Sequence, residues 1–200
     1  MSRSRTVVDL AGLGLPAAFS VEMAAAAGLT RSLRARLVSE GVLTRFARGL
    51  YRRTDAEPAD LDLLEVALRS PWATICLTSA LARHGLTDEI PAVIDLALPR
   101  GTRHPAGPVV ARWHSFDPET FGIGRELLAV EDDLRVGLYG AERSIIDAFH
   151  TRGTTGTDLA VEALRRWLRR RGSQPGQLLR MAAAWPRAEA PLRRVLEVLL

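Results

Sequence analysis

SVEMAAAAGLTRSLRARLVSEGVLTRFARGLYR, residues 20–52, decides the reading of this chain. Ser20 is a helix-capping residue, Glu22 complements the positive start of a helix, and Ala24 to Ala27 leave room for close helix contact. Gly28 permits a left-handed turn, Thr30 is a second cap, and Gly41 is a C-terminal stop for a helix reaching about Glu40. Val42 to Arg53 is rich in strand formers with Arg48-Gly49 at its centre, which suits a hairpin. Helix, turn, arginine-bearing helix and hairpin, in that order, is the layout of a winged helix-turn-helix that enters DNA.

Outward from this stretch, Arg3 to Leu15 reads as a first helix of the same domain. Asp55 to Pro58 is a polar joint, which sets the expected domains at 1–55 and 56–200. Beyond it, Leu61–Leu68, Thr78–His84 and Ala141–Phe149 repeat apolar residues as helices do, whereas Ala92–Leu98, Val109–Trp113 and Leu127–Tyr139 favour strands. Three closing helices are expected at about Asp158–Arg171, Pro175–Ala184 and Pro191–Leu200, separated by Gly172 and Pro186. The fold class is therefore α+β: an N-terminal winged helix-turn-helix followed by a mixed α/β domain ending in a helical segment.

Charge is distributed unevenly along the 200 residues. Residues 1–55 carry nine arginines against four acids, residues 56–150 eight against fifteen, and residues 151–200 ten against four. Basic ends around an acidic middle favour a polyanion partner for the ends. No lysine occurs, which excludes Schiff-base chemistry and a Walker-type phosphate loop. No apolar run approaches 18 residues and no leader is recognisable, so a cytoplasmic protein without membrane contact is expected. The single cysteine, Cys76, lies in the apolar stretch Ile75-Cys76-Leu77 and is expected in the core.

Within the second helix, Leu33 and Leu37 share a stripe with Leu29 just before it, and Arg31, Arg34 and Ala35 point elsewhere. These are start-of-helix positions, where a recognition helix meets base edges, and arginine pairs with guanine through two hydrogen bonds. Thr30, Arg31, Ser32, Arg34 and Ala35 are the candidate DNA-contacting residues of this helix. Arg36 suits a phosphate, and Arg45, Arg48 and Arg52 of the hairpin suit the backbone or the minor groove. Seven arginines face one acid, Glu40, between Gly28 and Arg53.

The second domain offers His84, His104, His114, His150, Asp88, Glu89, Asp95, Arg143 and Asp147 as polar candidates. No metal-ligand spacing, no CxxC and no Gly-x-Ser-x-Gly elbow occurs among them, so no metal, cofactor or catalytic residue is expected. Gly172-Ser173 is not followed by the paired acids of a nucleotidyltransferase. Arg143 and Asp147, four apart, form a helical ion pair; if buried, they pin their helix to the sheet. A second basic face is expected from Arg165, Arg166, Arg169 and Arg170, opposite Val161, Leu164, Trp167 and Leu168. It is a solvated face, a second DNA contact, or a dock for an acidic surface. Trp72, Trp113 and Trp185 are core residues or marks of a partner surface.

AAGLTRSLRARLVSEGVLTRFARGLYR resembles the N-terminal winged helix of the AbiEi-type antitoxins. LTSALARHGL, VIDLALP, LRVGLYGAERSIIDAF and the final EALRRWLRRRGSQPGQLLRMAAAWPRAEAPLRRVLEVLL are similar to the rest of that family's longer members. That family usually has an apolar residue where this chain has Arg34, and this departure leaves Arg34 and Ser32 as alternative base readers. The resemblance implies an autorepressor that binds inverted repeats in double-stranded DNA upstream of its own operon. It also implies a second domain opposing a nucleotidyltransferase-like toxin, without need of a stable complex. A homodimer is expected because paired half-sites need paired readers. The alternatives are a nucleic-acid-targeted enzyme and an interaction module that uses the winged helix only for targeting.

Overall fold

A computed structural model describes residues 9–10, 12–105, 111–131, 133–151, 153 and 157–200. The chain divides into two compact units, residues 1–71 with 129–135 and residues 72–128 with 136–200. The division at 71/72 leaves the helix after the polar joint with the first unit, later than the 55/56 boundary expected from the sequence.

In the first unit, Ser20 opens α1 (Val21–Ala26) by accepting a hydrogen bond from the Met23 amide at 3.2 Å. Gly28, at φ +78°, turns the chain into α2 (Arg31–Ser39), which Thr30 caps through the Leu33 amide at 3.3 Å. Gly41, at φ +72°, follows the end of α2 in the left-handed conformation. A short strand β1 (Ala18–Ser20) precedes α1, and β2 (Leu43–Ala47) and β3 (Leu50–Arg53) form the expected hairpin. The antiparallel sheet has the order β1-β3-β2, with Phe19 and Arg45 both in register with Tyr51. Leu15, Phe19, Ala24, Leu29, Leu37 and Leu43 close one core beneath α2. Helix α3 (Leu61–Arg69), capped by Asp60, completes the unit. The expected helix at 3–15 lies largely outside the described residues, and residues 12–14 form a turn rather than its last part.

The second unit contains β4 (Thr74–Ile75), α4 (Leu77–Arg83), β5 (Ile94–Pro99), β6 (Ala111–Phe116) and α5 (Pro118–Phe121). It continues with β7 (Arg125–Glu131), β8 (Leu134–Tyr139), α6 (Ala141–His150), α7 (Thr157–Leu168), α8 (Pro175–Ala182) and α9 (Pro186–Leu199). Residues 129–135 of β7 and β8 group with the first unit. The sheet order is β6-β5-β4-β8-β7; β4 runs antiparallel to β5 but parallel to β8, and β5 runs parallel to β6. The fold is thus mixed α+β with two sheets and a C-terminal helical segment.

Helix α6 supplies the apolar surface on which the last helices pack. Ile145, Ile146 and Phe149 share a core with Leu164 and Trp167 of α7, Leu178 of α8 and Leu192 of α9. Trp185 belongs to this core, whereas Trp72 is exposed and Trp113 stacks on His104 with centroids 5.7 Å apart. Two helix boundaries differ most from the sequence reading. Helix α7 stops at Leu168 rather than Arg171, and α9 starts at Pro186, with Pro191 inside it. Proline needs no amide partner at the first helical position, so Pro186 opens a helix instead of separating two.

Candidate nucleic-acid interface

The polar face of α2 follows from which residues its core claims. Leu37 is buried, Leu33 packs against the same cluster, and Arg34 lies beside them at 6% exposure. At 100° per residue the opposite face carries Arg31, Ser32, Ala35 and Ser39, all exposed, with Arg36 at its margin. Thr30 begins this face, its hydroxyl held by the cap and 3.2 Å from the Ser32 hydroxyl. The positive end of the helix dipole and the first-turn amides other than that of Leu33, which Thr30 caps, accompany Arg31 at the start of α2, an arrangement suited to an anion. Among the described residues, the Arg31 guanidinium has no carboxylate partner, and Arg36 has only an exposed one, Glu40 at 3.7 Å.

Arg34 does not belong to this face. Its Nη1 donates to the Leu29 carbonyl at 2.6 Å, and its guanidinium carbon lies 5.7 Å from the Tyr51 ring centroid. The base-reading role anticipated for it is therefore corrected. The aliphatic stem fills the position where an apolar residue would pack, and the charged end is spent on a carbonyl and a ring. Between the two alternatives left by the sequence, Ser32 is the exposed one.

The hairpin divides its arginines in the same way. Arg45 is exposed on β2, its Nε bonded to the Ala47 carbonyl at 3.3 Å where the register slips by a bulge. Arg48 is exposed at the turn, beside Gly49 at φ +77°. Arg52 is different: its side chain is 12% exposed, Nε donates to Glu131 at 3.0 Å, and Nη2 bonds to Glu131 and to the Glu57 carbonyl. A hairpin contact to DNA was expected of Arg52; it instead holds residues 57 and 131 within the first unit. The unit thus exposes Arg31, Arg36, Arg45 and Arg48 as its cationic groups on the second helix and the hairpin.

The expected second basic face is less uniform than its sequence. Arg165 is exposed on α7, but Arg166 is engaged by Asp88, at 2.8 Å through Nη1, and by Glu162 at 2.7 Å. These carboxylates hold Arg166 in its charged form more firmly than usual. Arg169 and Arg170 lie past the end of the helix, and Arg170 donates to the His84 carbonyl. Four arginines contiguous in sequence are thus not four equivalent groups in space.

Of the other polar candidates, Asp95 is buried and meets His114 at 2.9 Å and Ser79 at 3.4 Å. His84 contacts the Tyr139 carbonyl through Nε2 at 2.8 Å. Glu89 donates its amide to the Thr87 hydroxyl, and His104 stacks on Trp113. His150 is exposed at the end of α6. No group of three His, Cys, Asp or Glu able to hold a metal occurs among the described residues. Cys76 is buried, and burial together with the nearby Asp147 and Asp95 pushes its thiol well up, which leaves it unreactive.

Arg143 and Asp147 take the buried arrangement. Arg143 donates to Asp147 at 2.9 Å and to the Thr120 and Ile123 carbonyls at 2.7 Å each, between the rings of Tyr139 and Trp185. Helix α6 is pinned by an ion pair surrounded with carbonyls and aromatic faces. Sequence reasoning found the pair, but nothing in the spacing pointed to its two aromatic neighbours.

No protein-family model and no curated protein matches the chain. A solved structure of similar fold is the RV2827C protein from Mycobacterium tuberculosis, with a TM-score of 0.55 and 18% sequence identity over 96% of this chain and 80% of that one. At this identity the likeness extends to the fold alone.

Proposed function

We propose that this chain is a sequence-specific DNA-binding regulator whose first unit is a winged helix-turn-helix, with α2 as the recognition helix and the β2–β3 hairpin as the wing. The observation that carries the proposal is the sorting of arginines in that unit. Arg31, Ser32, Ala35 and Arg36 share the solvent face of α2 while Leu33, Arg34 and Leu37 turn inward. A recognition helix needs that sorting, because side chains at its start must reach base edges without surrendering the core. Arg45 and Arg48 supply cations for phosphates on either side of a groove.

The resemblance to AbiEi-type antitoxins extends the proposal. On that reading the chain represses its own operon at inverted repeats, acts as a homodimer in the cytoplasm, and opposes a toxin encoded beside it. Its role is binding rather than catalysis. No helix among the described residues is long and apolar enough to cross a membrane. Titration of the full chain against labelled duplex from upstream of its gene tests the proposal. Saturable binding, competed by the same unlabelled duplex and not by a scrambled one, is the expected result. Equal competition by both duplexes would reject sequence-specific regulation.

A further inference from the structure

The loop between α4 and β5 carries Ile90, whose side chain is 93% exposed, more than any other bulky apolar residue among the described ones. Contacts on both sides of Ile90 pin this loop. Leu86 is fully buried, the Thr87 hydroxyl accepts from the Glu89 amide at 3.1 Å, and Arg166 Nη1 donates to Asp88 at 2.8 Å. Beyond Ile90 the chain enters β5 at Ile94. An apolar side chain held in water adds nothing to its own core, and one already held in place loses little freedom on entering a partner. Beside the loop, a groove of about 310 Å³ opens between α4 and the start of β5. Its apolar lining is Ala82, Pro91, Val93 and Ile94, each only partly buried and so open to contact. Ser79 also lines it, but the hydroxyl already accepts from the Asp95 amide at 2.9 Å and donates to Asp95 Oδ2 at 3.4 Å. An apolar group entering the groove therefore strands no donor.

Protrusion and groove lie side by side, since Pro91 of the lining directly follows Ile90. A patch holding both is complementary to itself about a twofold axis, because each contact recurs in reverse. Charge agrees with this pairing. Glu89, exposed next to Ile90, has no ion-pair partner among the described residues, and the exposed Arg83 contributes to the groove. A nucleic acid is repelled by Asp88 and Glu89 at the same patch, which leaves a protein surface as the occupant. We propose that this patch joins two copies of the chain, the Ile90 side chain of each entering the groove of the other, with Glu89 of each copy facing Arg83 of the other. The inference rests on the homodimer of the proposed function and gives it an interface, built wholly from residues of the second unit.

Sedimentation equilibrium of the full chain, without DNA, tests the contact. The wild type dimerises in the micromolar range. I90D, which brings a carboxylate to an apolar groove, and A82W, which fills the groove, each raise the dimer dissociation constant about tenfold or more. Mixed together, the two variants form a heterodimer tighter than either homodimer, because Ile90 of the A82W chain still meets the open groove of the I90D chain. A wild type that stays monomeric at about 100 µM, an I90D chain that dimerises as the wild type does, or a mixture no tighter than its components would overturn the contact. I90D decides the matter even if A82W fails to fold, since Ile90 touches little of its own chain. A monomeric result removes the dimer and leaves DNA binding to the duplex titration, whereas failure of that titration leaves this contact standing.

Discussion

The Arg34 guanidinium rests 5.7 Å from the Tyr51 ring centroid, beneath α2 rather than on its outer face. An arginine at the start of a helix in a basic stretch has thus been drawn into a core, where its Nε has no partner among the described residues. Methionine has a similar stem and no buried donor to satisfy. Arg34→Met is expected to change stability by less than about 1.5 kcal/mol, as volume-conserving core substitutions do, and DNA affinity by less than about threefold. Chemical denaturation and anisotropy titration of the same preparation check both. A large loss of affinity with an intact fold would return Arg34 to the DNA.

On the proposed reading, salt dependence counts the phosphates that the first unit contacts. Each contact contributes about 0.9 to the slope of log affinity against log salt, so the three exposed arginines assigned to phosphates, Arg36, Arg45 and Arg48, give a slope of about −2.7 per protomer, twice that for a dimer on paired half-sites. Arg48→Ala should lower the magnitude by about 1 per protomer. An unchanged slope would remove the hairpin turn from the interface.

Gly124 stands against Arg143. A Cβ at Gly124 would lie 2.8 Å from the Arg143 Cβ, and the backbone there is at φ +67°. The Gly124 carbonyl also accepts from the Gly140 amide at 2.8 Å, just before α6. Gly124→Ala is therefore expected to destabilise the chain by about 1–3 kcal/mol, through both backbone strain and displacement of Arg143. Urea denaturation measures it, and a neutral result would contradict the close packing of this turn on α6.

Asp147 makes stability depend on pH in a defined direction. Burial pushes its carboxyl up to about 6, against the opposing pull of Arg143. The folded chain then holds this proton more tightly than the unfolded chain. The stabilisation is full below about pH 4 and is lost as the pH rises through about 6. Relative to Asp147→Asn, the wild type should lose up to about 3 kcal/mol across that window. Paired urea denaturations at pH 4, 5, 6 and 7 measure the difference. A difference that stays flat, or moves the other way, would contradict the burial of this carboxyl.

Much of the first unit is legible in local sequence because local chemistry determines it. Ser20, Thr30, Gly28 and Gly41 act within a few residues of themselves, and the helices, turn and hairpin follow. Strand β1 is not legible, because three residues next to Pro16 and Ala17 show no period; pairing with β3 makes them a strand. The burials of Arg34 and Arg52 escape for a related reason. Each depends on a partner remote in sequence, Tyr51 for one and Glu131 for the other. In the second unit the helical core follows from apolar spacing, whereas the groove beside Ile90 needs side chains from α4 and the start of β5 brought together by the fold.

The contrast between two arginines three positions apart tests the central claim most directly. Anisotropy titrations with duplex from upstream of the gene, in about 100 mM salt, should show Arg31→Ala weakening binding by about 1–3 kcal/mol, or roughly 5- to 150-fold, while Arg34→Met binds as the wild type does. Equal binding by Arg31→Ala and the wild type, with both chains folded, would contradict the assignment of the exposed face of α2 to DNA.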